Sequence, residues 1–276
     1  MTVLMFWNIA KRDLSREIGE ACREHRVEVL ILAECELSTK EMLIGLNGDG
    51  IGRYSEATSP VPSRVRFFTN LPKRCLRPIS DDNKVSIRSL QPPLGKEIII
   101  AAAHLSSKLH AEPIDQLHGA SMMREMIMRA EEKARHRHTI VIGDLNMNPF
   151  EAGMVGANGF HAMCDKNVAS KGSRVVQGKE YDFFYNPMWS RLGDDSGGPP
   201  GTYYFNNGGS LINHFWETFD QILLRPELLP FYKSDGLKVL DRIADKPLLK
   251  NGVIDGRSYS DHLPLVTELG TERELS

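Results

Sequence analysis

The chain has 276 residues, of which 41% are hydrophobic and 25% are charged, the ordinary composition of a globular protein rather than of a disordered chain or a fibre. Its formal net charge of −2 excludes a strongly cationic nucleic-acid coat protein, although a local basic patch is compatible with it. No apolar run approaches the roughly 20 residues that a membrane-spanning helix needs, so we expect no membrane span.

The first 63 residues alternate apolar runs with segments of helical spacing. The predicted elements are strands over 2–8 and 27–33, helices over 13–26 and 38–46, and a loop over 47–63. The first strand ends in Asn8 and the second runs straight into Glu34. Asp13 stands where the N-cap of the first helix is expected.

The remainder of the chain adds more strands and one long helix. The predictions are an antiparallel meander over 64–106, a helix over 113–136, a strand over 139–143, long loops over 165–213, and strands over 219–224, 237–240 and 263–267. Such an alternation favours an α/β protein in which two packed sheets carry helices on the outside. Without a clear linker or repeat, we expect one domain over residues 1–276.

The four cysteines are scattered along the chain. They are Cys22, Cys35, Cys75 and Cys164. None forms a CxxC pair, so neither a zinc ribbon nor a redox motif is predicted, and a disulfide framework is not expected at this chain length. The first residues also lack the basic region and cleavage site of a secretion signal. These features predict a reducing, cytoplasmic setting.

Polar side chains of a narrow chemical range stand at the ends of the predicted strands. They are Asn8, Glu34, His104, Asp144, Asn146, Asp220, Asp261 and His262. Strand ends at one edge of a sheet converge in space, which is how scaffolded active sites are built. Carboxylates and amides suit a hard divalent cation, so the set points to a metal site with two histidines beside it.

Each of these residues has a plainer interpretation when it is taken alone. Asp144 and Asn146 could be ordinary turn residues after a strand, and Glu34 could simply surface at a strand end. A buried unpaired carboxylate would be costly, however, and a cation is its natural partner. Asp220 could hold His262 in one tautomer, as orienting carboxylates do in catalytic triads.

The set favours hydrolysis of a phosphate ester. A metal would neutralise the phosphoryl oxygens while a base-activated water attacks phosphorus in line. Neither a GxxxxGK[ST] loop nor a GxGxxG motif is present to indicate a nucleoside triphosphate or dinucleotide site, and the histidines do not match HExxH.

Six short segments resemble motifs of the endonuclease/exonuclease/phosphatase superfamily. They are WN at 7–8, AE at 33–34, HLSS at 104–107, GDLN at 143–146, FDQILL at 219–224 and SDHLPL at 260–265. They occur in the family's order and span nearly the whole chain. The resemblance implies a four-layer α/β/β/α sandwich and a magnesium-dependent phosphoesterase, with Mn²⁺ as an alternative ion.

The resemblance also implies roles for the metal-side residues. Glu34 would be the principal metal ligand, with Asn8 beside it and Asp261 supporting the metal directly or through water. Asp144 would orient or deprotonate the attacking water, and Asn146 would hold the phosphate.

The histidines would act on the phosphoryl group. His262, held by Asp220, would lie near the scissile phosphate, and His104 would stabilise charge on the phosphoryl group or the leaving oxygen. Whether Asp144 or His262 takes the proton is open at this point.

Departures from the abasic-site enzymes of the superfamily disfavour a repair role of that kind. Those enzymes carry an acid where this chain has Ala10, a Thr-Lys pair where it has Cys35-Glu36, and a tyrosine where it has His104. The histidine resembles the deoxyribonuclease and sphingomyelinase branches. In the nuclease relatives an acid from the preceding hairpin supports this histidine, but residues 57–80 contain no acid, so no partner of His104 can be named.

Residues 57–80 carry five basic side chains instead. They are Arg64, Arg66, Lys73, Arg74 and Arg77. A phosphate-facing surface, with Arg64 and Arg66 as substrate-binding residues, is one interpretation, and a solvated edge hairpin is the other. Aromatic residues of the second half, such as Tyr203 and Trp216, could stack on bases, but we expect them to pack the loops.

Three functions compete on this basis. The first is a metal-dependent nuclease acting on nucleic acid or another phosphodiester. The second is a phosphatase or phospholipase acting on an inositol phosphate or a sphingolipid. The third, an inactive binding protein, is disfavoured because competent residues occupy all the expected positions. No protein partner can be inferred, and substrate specificity is expected to depend on the loops.

Overall fold

The computed structural model describes residues 1–48, 50, 53–59, 61–93, 95–209 and 211–270. Over these residues the chain forms two large mixed β-sheets with helices outside them. The helices are α1 (Ser15–Glu24), α2 (Thr39–Asn47), α3 (Pro113–Ala134), α4 (Ala152–Val155) and α5 (Lys166–Ala169), and 3-10 turns cover Lys73–Cys75, Pro187–Arg191, Asp194–Ser196, Pro226–Phe231 and Ser234–Gly236. Within the described residues, none of the helices combines the length and apolar character that crossing a bilayer requires.

The first sheet contains the N-terminal strand. Its strands are β1 (Thr2–Asn8), β2 (Val29–Ala33), β3 (Ser55–Ala57), β4 (Val65–Thr69), β16 (Lys238–Val239) and β21 (Leu265–Leu269). They lie in the order β16-β21-β1-β2-β4-β3. The β1–β2 pair is parallel and the other pairs are antiparallel, which makes this a mixed sheet.

The second sheet is built from the middle of the chain. Its strands are β5 (Leu76–Asp81), β6 (Val85–Leu90), β7 (Ile98–His104), β8 (Thr139–Asp144), β9 (Ala162–Met163), β12 (Phe184–Tyr185) and β15 (Asp220–Leu224). They lie in the order β5-β6-β7-β8-β15-β12-β9, with β7–β8 and β12–β9 parallel. Short two-stranded pairs complete the fold: β10 (Ser173–Val176) with β11 (Lys179–Asp182), β13 (Tyr203–Tyr204) with β14 (Trp216–Glu217), β17 (Arg242–Ile243) with β18 (Lys246–Pro247), and β19 (Leu249–Lys250) with β20 (Val253–Ile254).

Three apolar cores separate four layers. The central core lies between the sheets and includes Phe6 of the first sheet and Ile142 of the second. One outer core packs the opposite face of the first sheet on α1 and α2, and the other packs the second sheet on α3, where Ile127 is buried. The predicted four-layer α/β/β/α sandwich is therefore confirmed. Its inner strands are buried on both faces, which is why they are continuously apolar in sequence.

The predicted helices are present with small changes at their ends. Ser38 caps α2 in a reciprocal pair with Glu41, the arrangement known as a capping box. The N-cap of α1 is Leu14 rather than the predicted Asp13, whose carboxylate instead accepts the Ser15 amide at 3.2 Å and the Ser15 hydroxyl at 2.8 Å.

The predicted meander over 64–106 is wrong in one respect. β4 belongs to the first sheet, whereas β5, β6 and β7 form consecutive antiparallel pairs in the second. The chain crosses between the layers near Pro72, whose lack of an amide hydrogen suits the end of a ladder. The loops predicted over 47–63 and 165–213 also contain short strands, including β3 and the β10–β11 pair.

Candidate active site

The candidate site lies where several strands of both sheets end. Asn8 ends β1 and Glu34 directly follows the parallel strand β2, in which Ala33 pairs with Asn8. In the second sheet His104 ends β7 and pairs in register with Asp144 at the end of the parallel strand β8. The four functional side chains therefore come from rigid, buried strand ends.

The remaining predicted residues approach from antiparallel strands. Asp220 begins β15 directly opposite Asp144. Asp261 and His262 precede β21, which pairs with β1. Asn146 follows β8 by two residues, so all eight residues predicted at strand ends meet at one place in the described structure.

Asn8 links the two carboxylates of this region. Its amide nitrogen lies 3.1 Å from Asp144 Oδ2 and 3.4 Å from Glu34 Oε1, and its oxygen accepts the Ala10 amide at 3.1 Å. Glu34 has a backbone φ of +49°, which a non-glycine residue rarely adopts. The Lys11 amide, 2.9 Å from the Glu34 carbonyl, holds this conformation, and the carboxylate reaches the cavity described below.

His262 and Asp220 form a buried pair. Nδ1 of His262 lies 2.8 Å from Asp220 Oδ2, so its Nε2 is left for the cavity, 3.9 Å from Asp144 Oδ2. Burial disfavours charge on the imidazole, but Asp220 and Asp144 outweigh it and raise the pKa of His262 to about 10. Ser260 braces this histidine, because its hydroxyl accepts the His262 amide at 3.1 Å and donates to the Asn8 carbonyl at 2.6 Å.

The GDLN segment fixes Asp144 and Asn146 relative to each other. The backbone amide of Asn146 donates to Asp144 Oδ1 at 3.0 Å. The side chain of Gln116 on α3 donates to the backbone carbonyl of Asn146 at 2.7 Å. Burial raises the pKa of Asp144, while the nearby imidazoles act in the opposite direction. Gly143 is required by close approach, because a Cβ there would lie 2.1 Å from the Ala103 carbonyl oxygen.

His104 has acids near it, although none comes from the preceding hairpin. Its Nε2 lies 3.5 Å from Glu34 Oε1 and 3.7 Å from Asp144 Oδ2. Burial lowers the pKa of His104 despite these carboxylates, and the charge of Arg64 adds to the lowering. Nδ1 of His104 is buried without a partner among the described residues. A neutral imidazole at this place can therefore contact a phosphoryl group without an ion pair to break.

These side chains open into one cavity of about 420 Å³. Its lining includes residues for which the sequence suggested no catalytic role: Lys108, Tyr203, Phe205, Glu217 and Phe219. Lys108 bonds Glu151 and lies 3.9 Å from Glu217, with its Nζ 4.8 Å from the centroid of the Phe219 ring. Lys108 directly follows HLSS, Glu217 closely precedes FDQILL and Phe219 begins it, so their closeness to these motifs could have indicated them. The position of the loop that carries Tyr203 and Phe205 depends on contacts distant in sequence.

The two arginines proposed for substrate binding differ in surroundings. Arg66 is engaged within the protein: its Nε lies 2.8 Å from Glu56 Oε1, and it also bonds the Leu37 carbonyl. Only 18% of its side chain is exposed, so Arg66 braces β3 against β4, and substrate binding by it stays a prediction. Arg64 is exposed and stays a prediction. The five basic residues also do not share one hairpin, because Arg66 lies in β4 of the first sheet and Arg77 lies in β5 of the second.

The buried acids and histidine offer donors for a cation. Ligand atoms of Asp144, Asp220 and His262 lie within 4.8 Å of one another. The Asp220–His262 hydrogen bond already satisfies two members of this trio, whereas Glu34 and Asp144 present carboxylate oxygens beside the Asn8 amide. This second group suits a hard divalent cation better, because Mg²⁺ prefers oxygen ligands.

Solved structures share this fold at low sequence identity. D. rerio TDP2 complexed with a single-strand DNA product has a TM-score of 0.54 and 15% identity, covering 98% of this chain and 99% of that one. The human Nocturnin catalytic domain with a bound sulfate anion has a TM-score of 0.54 and 16% identity, covering 97% and 93%. The endonuclease domain of TRAS1, a telomere-specific non-LTR retrotransposon, has a TM-score of 0.51 and 13% identity, covering 99% and 100%.

No curated protein matches the chain. The profile of the Endonuclease/Exonuclease/phosphatase family matches residues 5–262, a span that runs from β1 to His262 and includes every strand end of the site. The chain therefore belongs to the endonuclease/exonuclease/phosphatase family, whose members are hydrolases of phosphoester bonds.

Proposed function

We propose that this protein is a divalent-metal-dependent phosphodiester hydrolase that acts as a nuclease. The observation that carries the proposal is the convergence of Asp144, His262 and Glu34 on one cavity, with Asn8 bonding both carboxylates. Such a set can bind a cation, polarise a phosphate and take a proton from water, and it contains no covalent nucleophile in an activated pair.

The chemistry of the side chains fits Mg²⁺, with Mn²⁺ as a substitute. Glu34 would hold the ion, with Asn8 and Asp261 beside it. When bound, the cation supplies Lewis-acid neutralisation of the phosphoryl oxygens. Asn146 would hold the phosphate through its amide group, part of which already donates to the Leu105 carbonyl at 3.1 Å.

We assign the proton-accepting role to Asp144. Asp220 and Asp144 raise the pKa of His262 and so favour its charged form, which donates to a phosphoryl oxygen. Asp144 lies next to it and has both oxygens held, one by Asn146 and one by Asn8. Asp220 positions His262, and neutral His104 would contact the phosphoryl group or the leaving oxygen.

A nucleic acid or nucleotide diester fits the cavity better than an inositol polyphosphate. Among the described lining residues, Lys108 is the only lysine or arginine. Its ammonium group already donates a hydrogen bond to Glu151. An inositol polyphosphate would place several phosphates inside the cavity, which would need more free cations than this. Two structural neighbours are a DNA-product complex and an endonuclease domain, which supports a nuclease function.

We also propose a reducing, cytoplasmic setting, because all four cysteines are free.

A hydrolysis panel tests the proposed function. Single- and double-stranded DNA, RNA, an inositol polyphosphate and sphingomyelin are incubated with Mg²⁺ or with a chelator, using wild-type protein and Asp144→Asn. Metal-dependent cleavage of a polynucleotide that is lost in the variant is the expected result. Turnover confined to the inositol phosphate or to sphingomyelin would support the alternative function, a phosphatase or phospholipase. No turnover of any substrate with Mg²⁺ or Mn²⁺ would contradict both functions.

A further inference from the structure

The cavity has two chemically different walls. The polar wall consists of Glu34, His104, Asp144 and His262. The aromatic wall consists of Tyr203, Phe205 and Phe219, which come from β13, the residue after it, and the residue before β15. The proposed reaction uses the polar wall alone, so the aromatic wall needs a separate explanation.

The rings of the aromatic wall are nearly parallel. Tyr203 stacks on Phe219 with centroids 5.3 Å apart and planes 22° apart, and on Phe205 at 6.4 Å and 15°. The Tyr203 ring also lies 4.7 Å from the His262 ring. The wall therefore begins against the imidazole of His262 and continues outward as a stack of rings that Phe205 ends.

The outer part of this wall is open to solvent. Phe219 is covered by Tyr203 and by the Lys108 ammonium group, and it is buried. Phe205 is 46% exposed although it lines the cavity, and Leu109 at the same mouth is more exposed still. Exposed apolar side chains that line a polar catalytic cavity indicate that a ligand group covers them.

Shape and charge narrow the choice of ligand group. The exposed ring of Phe205 at the end of the stack can be extended by another planar ring, which suits it better than a flexible chain. The volume of about 420 Å³ lies at the small end of ligand pockets. Glu217 and Asp261 add carboxylates to the lining, so a second phosphate inside the cavity would meet like charge, whereas an uncharged ring would not.

We propose that the aromatic wall binds the nucleobase of the nucleotide whose phosphate is hydrolysed, and that Phe205 is its outer stacking residue. The inference rests on the proposed function and adds to it the group that is recognised. A base stacked on Phe205 would extend the row of rings that reaches His262 through Tyr203. Recognition of this kind tolerates any base, because every base has a π-face.

The test compares dimers that differ only in the base. Thymidylyl-thymidine, its analogue with abasic tetrahydrofuran residues, and an alkyl phosphodiester are hydrolysed with Mg²⁺. For wild-type protein we expect kcat/KM to be about tenfold higher for the base-containing dimer, mainly through KM. Phe205→Leu is expected to remove most of this preference, and Phe205→Trp, which keeps a ring, is expected to retain it.

Phe215→Leu is the matched control. Phe215 belongs to the same segment and is 44% exposed, but it packs on Tyr204 and does not line the cavity. This variant is expected to keep the wild-type preference. Equal hydrolysis of the dimers by wild type, an unchanged preference in Phe205→Leu, or a preferred alkyl diester would overturn the inference while leaving phosphodiester hydrolysis intact. Hydrolysis of none of the three would overturn the proposed function and the inference with it.

Discussion

The polar and aromatic walls of the cavity are built from different kinds of chain. Asn8, Asp144 and Asp220 lie at the ends of strands that are buried on both faces and paired on both sides. Phe205 and Ile212 lie between the short strands β13 and β14, in a segment that is largely exposed. In the proposed function, the sandwich therefore positions the reacting groups, whereas a loop carries the side chains that recognise the substrate.

The two regions should therefore respond differently to substitution. Changes on the polar wall should reduce the rate or the stability of the fold. Changes in the 205–215 segment should alter substrate preference while the fold is retained, as the Phe205→Leu test measures.

The largest expected effect concerns Glu34, the proposed metal ligand. Glu34→Gln keeps the size of the side chain but removes its charge, so at a fixed Mg²⁺ concentration we expect about a thousandfold loss of hydrolysis. A magnesium titration of the rate should also shift to higher concentration. Glu36→Gln is the control, because Glu36 is exposed and pairs with Lys11. Equal titrations for Glu34→Gln and wild type would remove Glu34 from the metal site.

The next effect concerns the tolerance of each region to a methyl group. Gly143→Ala would place a Cβ 2.1 Å from the Ala103 carbonyl oxygen, so we expect a loss of about 3 kcal/mol in the free energy of unfolding. Gly208→Ala in the exposed segment would meet nothing closer than 3.9 Å, and we expect a change within about 0.5 kcal/mol. Denaturant unfolding of both variants measures the contrast, and equal losses would contradict it.

A smaller effect concerns the pH dependence of stability. The pKa of His262, about 10 in the fold, is well above the ordinary histidine value of 6.5. Charge on His262 therefore stabilises the fold fully below about pH 6.5, and this stabilisation is lost as the pH rises through 10. Without metal, the free energy of unfolding of wild type should fall across this interval more steeply than that of His262→Gln. Parallel pH profiles would show that Asp220 does not hold a charged imidazole.

Local sequence was informative about the polar wall because each strand carries its own signal. An apolar run followed by Asn8, by Glu34 or by Asp144 can be recognised without knowing the strand's neighbours. The order of the motifs along the chain then indicates the family and, through it, the four layers.

Sequence was less informative wherever the outcome depends on distant partners. Arg66 was expected to face a phosphate because its neighbours contain no acid, but β3 brings Glu56 beside it. The change of sheet between β4 and β5 is likewise set by tertiary packing, because it depends on which strands each of them pairs with. Tyr203 was expected to pack a loop, and its approach to His262 comes from a pairing across 59 positions of the chain.

The account's central claim is that the strand-end residues act as one hydrolytic unit. The most direct measurement is kcat/KM for a single-stranded oligonucleotide with Mg²⁺, determined for wild type, Asp144→Asn, His262→Gln and the double variant. We expect each single variant to lose about a thousandfold and the double variant to lose little more, because residues that act together are not additive. Single variants that hydrolyse the oligonucleotide within about twofold of wild type would contradict the claim.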